Sequence, residues 1–145
     1  MKLKCCFLLI ILFMLSITGT AMADRMAISA DIANIRSGPG ADNDILWKAE
    51  QNYPLMVIEK SGKWYHFRDY EGDEGWVHQS LVDKFESVIT KGEKNNVRSG
   101  PGTQFDKSFM VEDGIPFKVI QRKGAWINIE HSDGDRGWIH KSLVW

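Results

Sequence analysis

Four histidines, a run of carboxylates and six tryptophans are the side chains of this 145-residue chain whose types suit chemistry. Metal chemistry needs about three ligands converging on one ion. His66, His78, His131 and His140 have no helical or hairpin spacing that supplies such a set. The acidic turn Glu71-Gly72-Asp73-Glu74 lacks the alternating aspartates of a calcium loop. A glycosidase needs two carboxylates facing each other across a cleft, which a very small domain hardly provides. No Gly-x-Ser-x-Gly elbow is present. The Ser37-Gly38-Pro39-Gly40 segment lacks the Lys-Ser/Thr that follows a phosphate-binding loop. These residues read as surface histidines, a solvated hairpin and a structural loop, so no catalytic residue, metal or cofactor is expected.

The tryptophans are more telling. Trp64 and Trp126 each open a short alternating run, Trp64 to Arg68 and Trp126 to Glu130. In a strand, alternate residues share a face. Tyr65, Phe67, Ile127 and Ile129 then face a core. The opposite face is polar except for its tryptophan. Such a tryptophan either packs beneath a loop with its indole N–H on a carbonyl, or floors a binding groove.

The two tryptophan runs belong to a duplicated segment. Asn34-Ile35-Arg36-Ser37-Gly38-Pro39-Gly40 returns 62 residues later as Asn96-Val97-Arg98-Ser99-Gly100-Pro101-Gly102. Gly75-Trp76-Val77-His78 returns at the same offset as Gly137-Trp138-Ile139-His140. Residues 34–83 align with 96–145 without a gap, and roughly 21 of the 50 pairs are identical. A repeat of this size is a duplicated small domain.

The elements that position these residues are strands. Leu55–Glu59 and Phe117–Gln121 are apolar, β-branched runs, each followed by a glycine-containing turn and then by the tryptophan strand. Glu71–Gly75 and Asp133–Gly137 form a second turn leading into Trp76-Val77-His78 and its counterpart. Ser80-Leu81-Val82 is long enough only for a helical turn or a strand end. No window has the period of an amphipathic helix. A unit of about 60 residues buries little surface, and closure into a small barrel removes exposed edges. Arg36 and Arg98 are expected to brace the loop motif, in which Pro39 and Pro101 fix φ. Gly38, Gly40, Gly100 and Gly102 are expected to supply positive φ. Asn52 stands where Gly114 stands, which predicts left-handed backbone at both.

Residues 1–23 have the layout of a secretory signal: Lys2 and Lys4, an apolar run from Phe7 to Ile17, and Ala21-Met22-Ala23 before the cleavage point. The run is too short for a comfortable membrane span, so no stable membrane insertion is expected after cleavage. Both cysteines, Cys5 and Cys6, lie inside it, leaving no thiol or disulfide in the exported part. That part is slightly acidic, which excludes the basic stripe of a nucleic-acid binder.

These motifs together resemble the bacterial SH3 domain, seen twice. The resemblance covers roughly residues 31–83 and 93–145, completed by strands over Met26–Ile32 and Val88–Lys94. It implies an all-β chain of two tandem SH3-like small β-barrels after the signal peptide: residues 1–23 signal, 24–83 first unit, 84–86 linker, 87–145 second unit. It also implies an exported, non-catalytic binding or scaffold module of the cell envelope. Peptidoglycan stem peptides or a partner protein are its implied ligands. The alternatives are an accessory protein–protein scaffold without a groove and a minimal cell-wall hydrolase. Eukaryotic SH3 domains grip polyproline with a tryptophan, a proline and a tyrosine. Trp64 and Trp126 match that tryptophan. His78 and His140 replace the proline, and Leu81 and Leu143 replace the tyrosine. The candidate grooves are therefore Trp64, His78 and Leu81, and Trp126, His140 and Leu143. The short linker, with Phe85 as an apolar plug, predicts two barrels in a fixed pose.

Overall fold

The computed structural model describes residues 23–145. The export segment expected over residues 1–23, with Cys5 and Cys6, otherwise lies outside them. Among the described residues no helix is long and apolar enough to cross a membrane. Strands β1 (Asp24–Ile28), β2 (Ile32–Arg36), β3 (Ile45–Glu50), β4 (Pro54–Ser61), β5 (Trp64–Arg68), β6 (Glu74–His78) and β7 (Val82–Asp83) build the first unit. Strands β8 (Ser87–Ile89), β9 (Asn95–Arg98), β10 (Lys107–Val111), β11 (Pro116–Lys123), β12 (Trp126–Glu130) and β13 (Arg136–His140) build the second. A single 3-10 turn follows β6 at Gln79–Leu81 and β13 at Lys141–Leu143.

The sheet orders are β3-β2-β6-β5-β4-β1-β7 and β10-β9-β13-β12-β11-β8, antiparallel throughout. The all-β, tandem SH3-like architecture expected from the sequence is what the chain forms. The long strand of each unit bridges its two neighbours, and each sheet keeps two edge strands. β4 pairs with β1 through its first half and with β5 through most of its length, and its register shifts between Val57 and Glu59. β11 does the same with β8 and β12, shifting between Val119 and Gln121. A bulge bends a strand sharply, and the bend lets one strand serve both walls.

Alternation places the cores. Ile28, Ile35, Leu55, Phe67 and Val77 fill the first barrel; Val97, Phe117, Ile127, Ile129 and Ile139 fill the second. Tyr65 is only half-buried against its core. Asn52 (φ 70°) and Gly114 (φ 76°) both adopt the left-handed conformation, as their exchange between copies implies.

Two expectations are corrected. Met26–Ile32 and Val88–Lys94 are not continuous strands. In the first unit the chain bends after Ile28, where Ser29 and Ala30 donate their N–H groups to the Leu81 carbonyl. In the second, Lys91 donates to the Leu143 carbonyl. Each strand is thereby split into an outer piece (β1, β8) and the strand bearing the loop motif (β2, β9). Nor do the glycines of that motif supply positive φ: Gly38, Gly40, Gly100 and Gly102 are absent from the left-handed residues. Space is tight beside Gly38 and Gly100. A Cβ on Gly38 would lie 2.7 Å from Asn43 Oδ1, and one on Gly100 2.4 Å from the Phe105 ring.

The two units touch. The Arg25 guanidinium lies 4.0 Å from the centroid of the Trp145 ring. Burial lowers the Arg25 pKa from its ordinary value, with Arg122 pushing the same way. Phe85 is half-buried under the Lys118 ammonium. Glu86 accepts a hydrogen bond from Arg122 at 2.6 Å. Tyr70 approaches Gly114 so closely that a Cβ there would be 2.9 Å from its hydroxyl.

Candidate functional site

Cross-strand register brings the candidate residues together. Trp64 opens β5 and pairs with His78 at the end of β6. Their rings meet edge to face at 5.2 Å. Trp126 and His140 repeat the contact at 5.3 Å across β12 and β13. In both units the histidine caps the following 3-10 turn. Ser80 donates its backbone N–H to His78 Nδ1 at 3.2 Å, and its Oγ lies 2.7 Å from the same nitrogen. Ser142 does this for His140 at the same distances. A nitrogen that accepts a backbone N–H carries no proton of its own. The neutral ring therefore bears its proton on Nε2.

Leu81 and Leu143 are half-buried and pack against the two cores. Their carbonyls hold the bends described above. In the second unit Leu143 still joins Trp126 and His140 around a hollow of about 190 Å³, with Asn96, Arg98 and Thr103 on its other side. In the first unit Leu81 packs at the edge of the core.

The arginines of the loop motif reach across their loops. Arg36 donates to the Asn43 carbonyl at 2.9 Å. Arg98 donates to the carbonyls of Thr103 and Phe105 at 3.1 and 2.9 Å. Pro39 and Pro101 sit in these loops, each between two glycines.

Sequence reasoning missed part of the aromatic face. Trp76 stacks on His66 at 4.8 Å, nearly parallel, two cross-strand pairs along from Trp64 and His78 and on the same face. His66 also reaches Glu59 and Glu74 at 3.3 and 3.1 Å. The Arg68 guanidinium, at 2.6 Å, holds the Glu74 carboxyl below the usual carboxylate range, with His66 adding to the effect. In the second unit the pair is Asn128 against Trp138. Alternation along Glu74–His78 puts Trp76 and His78 on one face, and that signal could have found it. Ser80 and Ser142 were readable too, as residues two positions beyond a repeated histidine.

His131 lies at the opposite end of β12 from Trp126. It contacts Asp133 at 3.0 Å and the Phe117 ring edge to face at 5.5 Å. The Asp135 backbone N–H, and then His131, hold the Asp133 carboxyl below its usual range. Among the described residues no cluster of three or more His, Cys, Asp or Glu side chains is placed to hold a metal ion.

This chain is 26% identical over 136 residues to the "Putative N-acetylmuramoyl-L-alanine amidase YrvJ" of Bacillus subtilis (strain 168), a match covering 86% of this chain and 26% of that protein. It is 34% identical over 61 residues to the "Probable cell wall amidase LytH" of Staphylococcus epidermidis, covering 41% of this chain and 21% of the relative. The chain thus spans about a quarter of the length of these curated relatives. A solved NlpC/P60 family protein from Bacillus cereus superposes with a TM-score of 0.41 at 11% identity, over 84% of this chain and 56% of that one. The family model described as "Bacterial SH3 domain" matches residues 29–84 and again 91–145. Over most of its length, in two consecutive copies, the chain belongs to the bacterial SH3 domain family.

Proposed function

We propose that this protein is an exported, non-catalytic binding module of the cell envelope. In this reading its two Trp–His faces recognise peptide-like ligands, peptidoglycan stem peptides first among them and a partner protein second. The supporting observation is the Trp64–His78 contact repeated as Trp126–His140, each with a serine fixing the ring. An indole offers an apolar surface, and an imidazole Nε2–H beside it offers a donor. The combination matches a peptide carbonyl or carboxylate next to an apolar group. The wall setting is supported by the relatives named as amidases of the cell wall. Two modest sites on one chain gain avidity on a polymer that presents the ligand repeatedly.

The experiment is retention of the purified protein on peptidoglycan sacculi, beside the double variant Trp64→Ala/Trp126→Ala checked for folding by circular dichroism. Wild-type retention lost in a folded double variant is the expected result. Retention that survives the double change removes the Trp–His faces from the reading. No retention of the wild type moves the ligand to a partner protein. Release of soluble muropeptides by the protein alone overturns the non-catalytic assignment.

A further inference from the structure

The second unit holds an open hollow, and the residues around it differ from their counterparts in the first unit. In the first unit Tyr53 donates its hydroxyl to Asp69 at 2.9 Å, and Trp47 packs edge-on against Phe67. At the same positions of the second unit stand Ile115, His131 and Phe109. Isoleucine does not reach as far as tyrosine and has no hydroxyl to anchor. The result is a hollow of about 520 Å³. Its apolar lining includes Phe109, Met110 and Ile115, and its acidic lining is Glu112, Asp133 and Asp135.

Charge defines what the hollow can take. No lysine or arginine lines it. Met110, 61% exposed, stands where the first unit has Lys48. Among the described residues neither Glu112 nor Asp135 has an ion-pair partner, and Asp133 uses only Oδ1 on His131 and the Asp135 N–H. Apolar lining with three carboxylates, and with the His131 imidazole as its one basic side chain, complements an apolar side chain flanked by cations. It repels a peptide rich in free carboxylates. Along the hollow runs β10, an edge strand of its sheet, and an edge strand leaves backbone groups free to pair with an extended segment.

We propose that this hollow is a second binding site, present in the second unit alone, that takes an extended basic segment of a partner protein, an apolar side chain between lysines or arginines. It is separate from the Trp126 hollow. Trp126 begins β12 and His131 follows its end, so their backbones lie roughly 16 Å apart at the rise of a strand.

The test is a titration of the isotope-labelled protein, followed by backbone amide shifts, with the probe peptide Ac-KLKLK-amide and its acidic counterpart Ac-ELELE-amide. The basic peptide is expected to move the amides of Met110, Glu112 and Asp133 through Asp135, and to bind more weakly as salt is raised. The double variant Ile115→Tyr/His131→Asp copies the first unit's Tyr53 and Asp69. It fills the hollow while keeping every carboxylate, and is expected to weaken binding at least about tenfold. A second variant, Asp133→Asn/Asp135→Asn, leaves the hollow's shape and the Asp135 N–H acceptor, and is expected to weaken it as much. Trp64→Ala/Trp126→Ala is expected to leave this binding unchanged, which separates it from the Trp–His faces. The proposal is overturned if the basic peptide moves no amides there, if both hollow variants bind it as the wild type does, or if the acidic peptide binds equally.

Discussion

At the scale of single residues, the clearest case is Asp69. It is 5% exposed, yet it is fully used: it accepts the Tyr53 hydroxyl and the backbone N–H groups of Glu71 and Asp73. Its role is to fix the acidic turn and to close one side of the first barrel. Tyr53→Phe removes one of three donors to a charged acceptor and is expected to cost about 1.5 kcal/mol in denaturant unfolding. Burial, and then the hydrogen bond to Asp69, push the Tyr53 hydroxyl well above its ordinary pKa. Tyr70 is raised in the same way, with burial the larger cause. A phenol whose folded pKa is raised stabilises the fold fully below its unfolded value of about 10 and loses that contribution as the pH climbs beyond it. Melts at pH 7 and at pH 11 are therefore expected to differ more for the wild type than for Tyr53→Phe. Equal differences would take Tyr53 out of the alkaline transition.

At the scale of elements, close packing at the Gly-Trp step sets the barrel. A Cβ on Gly75 would lie 2.3 Å from Ile35 Cγ2, and one on Gly137 2.4 Å from Val97 Cγ1. Gly75→Ala and Gly137→Ala are each expected to destabilise by about 1–3 kcal/mol through overpacking, read as a lowered midpoint of the affected unit. A neutral result at either position would mean that the β2–β6 or β9–β13 contact is looser than the geometry shows. Much of this level was legible beforehand. The runs Trp64–Arg68 and Trp126–Glu130 have the strand bounds that alternation gives them, because one buried face and one wet face leave a period of two in the sequence. The left-handed backbone at Asn52 and Gly114 was legible because only a few residue types tolerate it. The bends after Ile28 and Ile89 were not, since they depend on carbonyls of Leu81 and Leu143 far along the chain. The glycines of Ser-Gly-Pro-Gly misled for a related reason. Their constraint is the approach of Asn43 and Phe105, a matter of space that composition does not encode. The Trp–His contacts sat between these cases: both residues stood out as repeats, but their meeting depends on cross-strand register. The hollow beneath Ile115 had no sequence signature until the two copies were compared in three dimensions.

At the scale of the molecule, two small barrels share one junction. Arg25 of the first unit covers Trp145 of the second, and Tyr70 abuts Gly114. A cation over an indole is worth about 0.5–2 kcal/mol. Arg25→Ala combined with Tyr70→Ala is expected to loosen the coupling between the units, so that two calorimetric transitions move further apart. An unchanged thermogram would mean that Phe85 and the Glu86–Arg122 pair suffice to hold the junction.

The junction also has a regularity of its own. Gln51 and Asn52 face His131, Ser132 and Gly134 across one cleft, while Gly114, the counterpart of Asn52, faces Tyr70, the counterpart of Ser132. This pair of contacts exchanges places between the units, as contacts do in a symmetric dimer. In a dimer of identical chains every residue is present twice, so a pocket opened on one subunit is opened on both. Covalent linkage lifts that constraint. Tyr53 can fill out one copy while Ile115 falls short in the other, so one molecule carries two matched Trp–His contacts beside surroundings that differ between its halves.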